Sequence, residues 1–101
     1  MTYNVQWSDE ARADFRLVPV FRRGPVFAAI GQLRFQAEMQ TRNRKPLVGP
    51  IADLPDATWE VRAGNYRAFY SIGEGRTVKV LRVILKRTST TADAVSRGRT
   101  S

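Results

Sequence analysis

Trp59-Glu60-Val61-Arg62-Ala63-Gly64-Asn65-Tyr66-Arg67-Ala68-Phe69-Tyr70 is the stretch that decides the fold. Gly64-Asn65 is a two-residue turn signal between two alternating segments, so it predicts a β-hairpin of strands 59–63 and 66–72. So short a turn fixes the register. Ala63 pairs with Tyr66, Arg62 with Arg67, Val61 with Ala68 and Trp59 with Tyr70. Alternation then places Trp59, Val61, Ala68 and Tyr70 on one face, the apolar core side. Glu60, Arg62, Arg67 and Phe69 share the other.

Toward the C-terminus, Gly73-Glu74-Gly75-Arg76 reads as a second turn and residues 77–85 as a third, more apolar strand. A turn of two or four residues sets Arg82 opposite Arg67 and sends Leu81, Val83 and Leu85 to the core; a three-residue turn reverses the strand. Thr90 is placed to cap one helical turn through Val95, and the polar tail from Ser96 lacks an apolar anchor.

Toward the N-terminus, Tyr3 to Trp7 alternates as a first strand, and Ser8 offers a helix cap with Asp9 and Glu10 in the first turn. Ala11, Phe15 and Val18 form an apolar stripe that ends near Pro19. Gly24-Pro25 suggests the start of a second helix, with Val26, Ile30, Leu33 and Ala37 facing inward and Phe27 and Phe35 widening that face. Residues 42–58, with Pro46, Gly49, Pro50 and Pro55, read as a loop. The predicted order is β-α-α-β-β-β. This is an α+β domain, 1–95, with two helices packed on one face of a small, mostly antiparallel sheet, followed by a tail, 96–101.

Cysteine and histidine are both absent from the 101 residues. That excludes disulfides, thiol nucleophiles, His-based triads and the common zinc sites, so neither metal nor cofactor is expected. No apolar run approaches the roughly 18 residues needed to cross a bilayer. The first residues lack the charged and apolar regions of a secretory signal, so a cytoplasmic location is expected. Charge is the dominant feature: 17 Lys and Arg against 9 Asp and Glu, a formal net of +8. Residues 61–87 concentrate it, with seven basic side chains against Glu74 alone.

Like charges facing each other on a sheet destabilise it by roughly 0.2–1 kcal/mol per pair. A row of Arg62, Arg67 and Arg82 across three strands is therefore best explained by an anion seated on it. The competing explanation is arginine stems covering apolar surface. Glu60 is the carboxylate beside this row. It is a general base if its pKa is raised, but cations beside it lower the pKa, which favours an ion pair. Arg42, Arg44 and Lys45 form a second basic run suited to tracking a phosphate backbone. Arg22-Arg23 reads as solvated surface.

Asn43-Arg44-Lys45-Pro46-Leu47, Leu54-Pro55, the hairpin above and Val80-Leu81-Arg82-Val83-Ile84-Leu85-Lys86-Arg87 together resemble the RelE/ParE toxin superfamily. The resemblance implies the toxin half of a type II toxin–antitoxin pair, neutralised by a cognate antitoxin. RelE-like members cut mRNA on the ribosome, and ParE-like members poison DNA gyrase. On the RelE-like pattern the resemblance assigns Arg67 to the scissile phosphate, Arg87 to the transition state and Arg62 to a supporting catalytic position. Arg82, Lys86, Arg42, Arg44 and Lys45 are the accompanying nucleic-acid contacts. Two positions depart from the pattern. Glu60 stands where a catalytic lysine is usual, and no tyrosine follows Lys86-Arg87, Asp93 lying near that place. The expected function is a ribosome-dependent mRNA endonuclease. The alternatives are a gyrase inhibitor without catalysis and a non-toxic nucleic-acid-binding domain.

Overall fold

The hairpin forms as its turn dictates. In a computed structural model, which describes residues 2–49, 51 and 53–85, strands β3 (Trp59–Ala63) and β4 (Tyr66–Gly73) follow helices α1 (Asp9–Arg16), α2 (Val20–Gly31) and α3 (Leu33–Gln36). Strand β1 (Asn4–Trp7) opens the chain, β2 (Arg44–Pro46) precedes the hairpin and β5 (Thr77–Leu85) closes it. The pairs Trp59–Tyr70, Val61–Ala68, Arg62–Arg67 and Ala63–Tyr66 all form. Gly64 takes φ +60° at the turn, a conformation that costs glycine no steric clash.

The sheet order is β1-β5-β4-β3-β2, with β1 parallel to β5 and the other pairs antiparallel. Ala11, Val18, Val26, Ile30, Leu33 and Ala37 from the helices meet Val61, Ala68, Tyr70, Val78, Val80 and Val83 from the sheet in one core. All four residues of the predicted inward stripe are buried, but the single helix expected there is two: Val26 and Ile30 lie on α2, Leu33 on α3, and Ala37 is the C-cap of α3. Phe27 and Phe35, expected to widen it, are each 61% exposed. Phe27 stacks on Trp7, and Phe35 carries the Arg34 guanidinium.

Three expectations are corrected. The second helix begins at Val20, and Pro25 lies inside it. Arg23 donates to the carbonyls of Val18 and Arg16, closing α1 and turning the chain at Pro19, so α2 starts one turn early. Pro25 forfeits the bond to the Phe21 carbonyl, at a residue that is itself exposed. Within the predicted loop, residues 44–46 add an edge strand, short enough and proline-ended enough to escape a periodicity reading. Finally, a β-bulge lies opposite the Phe69/Tyr70 step: Tyr70 pairs with Val80 but Phe69 with Arg82. Arg67 therefore faces Ile84, and the row of three arginines does not form. Val83 still points into the core, whereas Leu85 is 42% exposed. The capped turn at 90–95 and the tail from Ser96 lie outside the described residues.

Helix α1 accounts for the bulge. Ser8 N–H donates to the Val80 carbonyl (2.9 Å) and Ser8 Oγ to the Leu81 carbonyl (2.8 Å), while the same Oγ accepts from Ala11 N–H to cap the helix. Asp14 Oδ2 accepts from the Val83 amide at 2.9 Å. On the other side of the core, Tyr70 is fully buried and its hydroxyl donates to the Ala37 carbonyl at 2.6 Å. Burial pushes the pKa of this hydroxyl up, so it remains a donor. Tyr70→Phe is expected to cost about 1.5 kcal/mol, because the Ala37 carbonyl is left buried without a partner. A thermal melt should show the midpoint fall by roughly 6–12 °C. An unchanged midpoint would mean that water replaces the hydroxyl.

Candidate phosphate-binding site

The hairpin register puts Arg62 directly opposite Arg67, and Lys45 of β2 directly opposite Glu60. All four share the sheet face turned away from the helical core. Arg62 and Lys45 are exposed. Glu60 is 6% exposed, and the Arg67 side chain 14%. Their contact is a single approach of Arg67 Nη1 to Glu60 Oε1 at 3.4 Å, longer than a charge-assisted hydrogen bond. The Nε of Arg67 is buried without a partner. An idle donor at this depth is costly unless an acceptor reaches it, and the Nε of Arg44 shares that condition. Phe69, paired with Glu60, floors the site and is 8% exposed.

The remaining predicted residues separate. Arg82 donates from Nε to Asp14 Oδ2 (2.6 Å) and from Nη2 to Oδ1 (3.0 Å), a forked pair that raises its pKa first through the hydrogen bond to Asp14. Its fork is thereby committed to α1. Arg44 is 3% exposed, and its guanidinium donates to the Met39 carbonyl (3.2 Å) and Gln32 Oε1 (3.3 Å). It is turned inward, tying β2 to the segment after α3 and to the Gln32 side chain, and is not part of an exposed basic surface. Arg42 is exposed on the approach to β2. Lys86 and Arg87 lie outside the described residues.

Sequence reasoning missed Asp14, whose partners lie 68 and 69 residues away, and it missed the facing of Lys45 and Glu60, because β2 was invisible. A cleft of about 510 Å³ lies at the opposite end of the sheet, lined by Thr2, Tyr3, Asn4, Val5, Arg34 and Gly75. There the Tyr3 hydroxyl donates to Glu38 at 2.8 Å, and the Arg76 guanidinium lies 4.2 Å from the centroid of the Tyr3 ring. Among the described residues no group of His, Cys, Asp and Glu could hold a metal ion, and no helix is long and apolar enough to cross a membrane.

The fold is shared with solved toxins. The RelE–RelB complex of the archaeon Pyrococcus horikoshii has a chain 17% identical at a TM-score of 0.69, covering 88% of this chain and 100% of that one. The RelBE2 toxin–antitoxin complex of Mycobacterium tuberculosis has one 28% identical at 0.56, covering 84% and 99%. A YoeB/ParE toxin from Agrobacterium tumefaciens is 16% identical at 0.63, covering 81% and 96%. No curated protein sequence matches the chain. A family model, described as ParE toxin of type II toxin–antitoxin system, parDE, matches residues 5–89. The chain belongs to this ParE toxin family of type II toxin–antitoxin systems.

Proposed function

We propose that this toxin stops translation by cutting ribosome-bound mRNA, with the scissile phosphate seated on Arg62 and Arg67. The observation that carries this reading is the facing pair itself: two arginines opposed across a hairpin, one with a buried, idle Nε. Cleavage joins a ribose 2′-oxygen to the adjacent phosphorus and releases the 5′-oxygen, which takes up a proton. The phosphorane between these states carries extra negative charge. Guanidinium donors aimed at its non-bridging oxygens lower the barrier. Arginine stays protonated and does not take the 2′-OH proton, which passes to water or a ribosomal base, and the released 5′-oxygen takes its proton from solvent. On the family pattern Arg87 adds a further positive charge.

A second reading, inhibition of DNA gyrase without catalysis, is favoured by one observation. Glu60 stands where the endonuclease pattern has lysine, and its carboxylate lies 3.4 Å from the Arg67 guanidinium. Either way the physiological partner is a cognate antitoxin, as the matched toxin–antitoxin complexes suggest, and the cytoplasm is where both targets lie. The two readings separate on induced expression of the wild-type chain. Primer extension should show new mRNA ends within translated frames while plasmid supercoiling is unchanged. Growth arrest with DNA breaks and intact mRNA would replace the endonuclease reading by the gyrase reading.

A further inference from the structure

We infer that Glu60 is a built-in competitor for the target: its carboxylate occupies Arg67 in the free toxin and must yield it before a phosphate can be held. The inference rests on the reading that Arg62 and Arg67 receive a phosphate. Glu60 lies next to three cations on its face, with Lys45 directly opposite on β2, Arg67 one step diagonal on β4 and Arg62 two residues along its own strand. Yet it makes only the 3.4 Å approach to Arg67, and leaves the Nε of that residue without an acceptor. A structural ion pair closes into two short parallel hydrogen bonds even where it is more exposed, as Arg82 and Asp14 do in this molecule at 2.6 and 3.0 Å. The contrast between the two pairs is the basis of the inference. The fork of Arg82 is saturated, whereas that of Arg67 is held loosely by an anion that a better acceptor can displace.

The exchange has a defined balance. A phosphate arriving at Arg67 and Arg62 brings its own charge, so Glu60 loses Arg67 and is left with no ion-pair partner among the described residues, Lys45 being the nearest cation in register on the edge strand. Because Glu60 offsets one cation of the patch, wild-type protein should release fewer counterions on binding a polyanion than its exposed cations suggest. Weak polyanions, bound at a single point, lose this competition. A target that also engages Arg62 and the exposed Arg42 wins it. Glu60 is thereby a specificity-determining residue that keeps the toxin from binding RNA at large.

The test is binding of a fluorescent short oligouridine, followed by anisotropy across a salt series, to wild type, Glu60→Gln, Arg67→Ala and the double variant. Glu60→Gln should bind about tenfold more tightly at low salt, and the log–log salt slope should steepen by about 0.7, the value for one additional single-strand phosphate contact. The same substitution in the Arg67→Ala background should change neither. If Glu60→Gln binds no better while Arg67→Ala still weakens binding, the competitor role is overturned and the phosphate site stands. If no variant binds with any salt dependence, the phosphate reading falls and the competitor role falls with it. Wild-type protein supplies a measurement that needs no variant. Oligouridine should shift the Arg67 Nε–H resonance and leave that of inward-turned Arg44 in place; an unmoved Arg67 signal at saturation overturns the inference.

Discussion

Asp14→Ala is expected to lower the melting midpoint by roughly 12–24 °C, a loss of about 3 kcal/mol in a domain of this size. Asp14 is the acceptor for three donors: Nε and Nη2 of Arg82 and the amide of Val83. Its side chain is 13% exposed while that of Arg82 is 38% exposed, so the two halves of the site differ in weight. The guanidinium reaches water, and its pairing contributes no more than about 1 kcal/mol after solvent screening. The Val83 amide has a charged acceptor whose loss costs about 2 kcal/mol. Asp14→Asn keeps an acceptor for that amide and should retain more than half of the stability. A smaller loss than about 1 kcal/mol for Asp14→Ala would show that water fills the site.

Arg67→Ala is expected to abolish toxicity, with at least about a hundredfold loss in mRNA cleavage. Removing the guanidinium also leaves Glu60 buried and unpaired, which costs stability of its own. The Glu60→Gln/Arg67→Ala double variant separates the effects, since it should melt closer to wild type and remain non-toxic. Arg67→Lys should rescue poorly, because an ammonium has no planar fork to set against two phosphate oxygens. Growth inhibition that persists in the double variant at equal protein levels would remove Arg67 from the site.

The hairpin was legible to the residue because a two-residue turn leaves one register, and every pairing from Trp59–Tyr70 to Ala63–Tyr66 follows from it. The register of β5 was not. The bulge that moves Arg82 from Arg67 to Phe69 is held by Ser8 and Asp14, and no local reading of residues 77–85 contains those contacts. For the same reason the charge count of residues 61–87 overstated the outward-facing patch. Arg82 is answered by Asp14 and Arg67 partly by Glu60. Arg44 looked like a loop cation because β2 is three residues long; once paired with Val61 it points toward the helices.

The brevity of β1 has a further consequence. It pairs with β5 only along residues 77–80, so among the described residues the outer side of residues 81–85 has no neighbouring strand. An open flank of this kind is a template for another chain to zip onto. Here the flank is closed from a helix: Ser8 takes the Leu81 carbonyl and Asp14 the Val83 amide, so two side chains stand in for a missing strand. Among the described residues, protection against self-association thus rests on one hydroxyl and one carboxylate, with Leu17, Ile84 and Leu85 exposed. A toxin carrying Asp14→Ala would lose solubility as well as stability, by strand-to-strand assembly of molecules that remain folded.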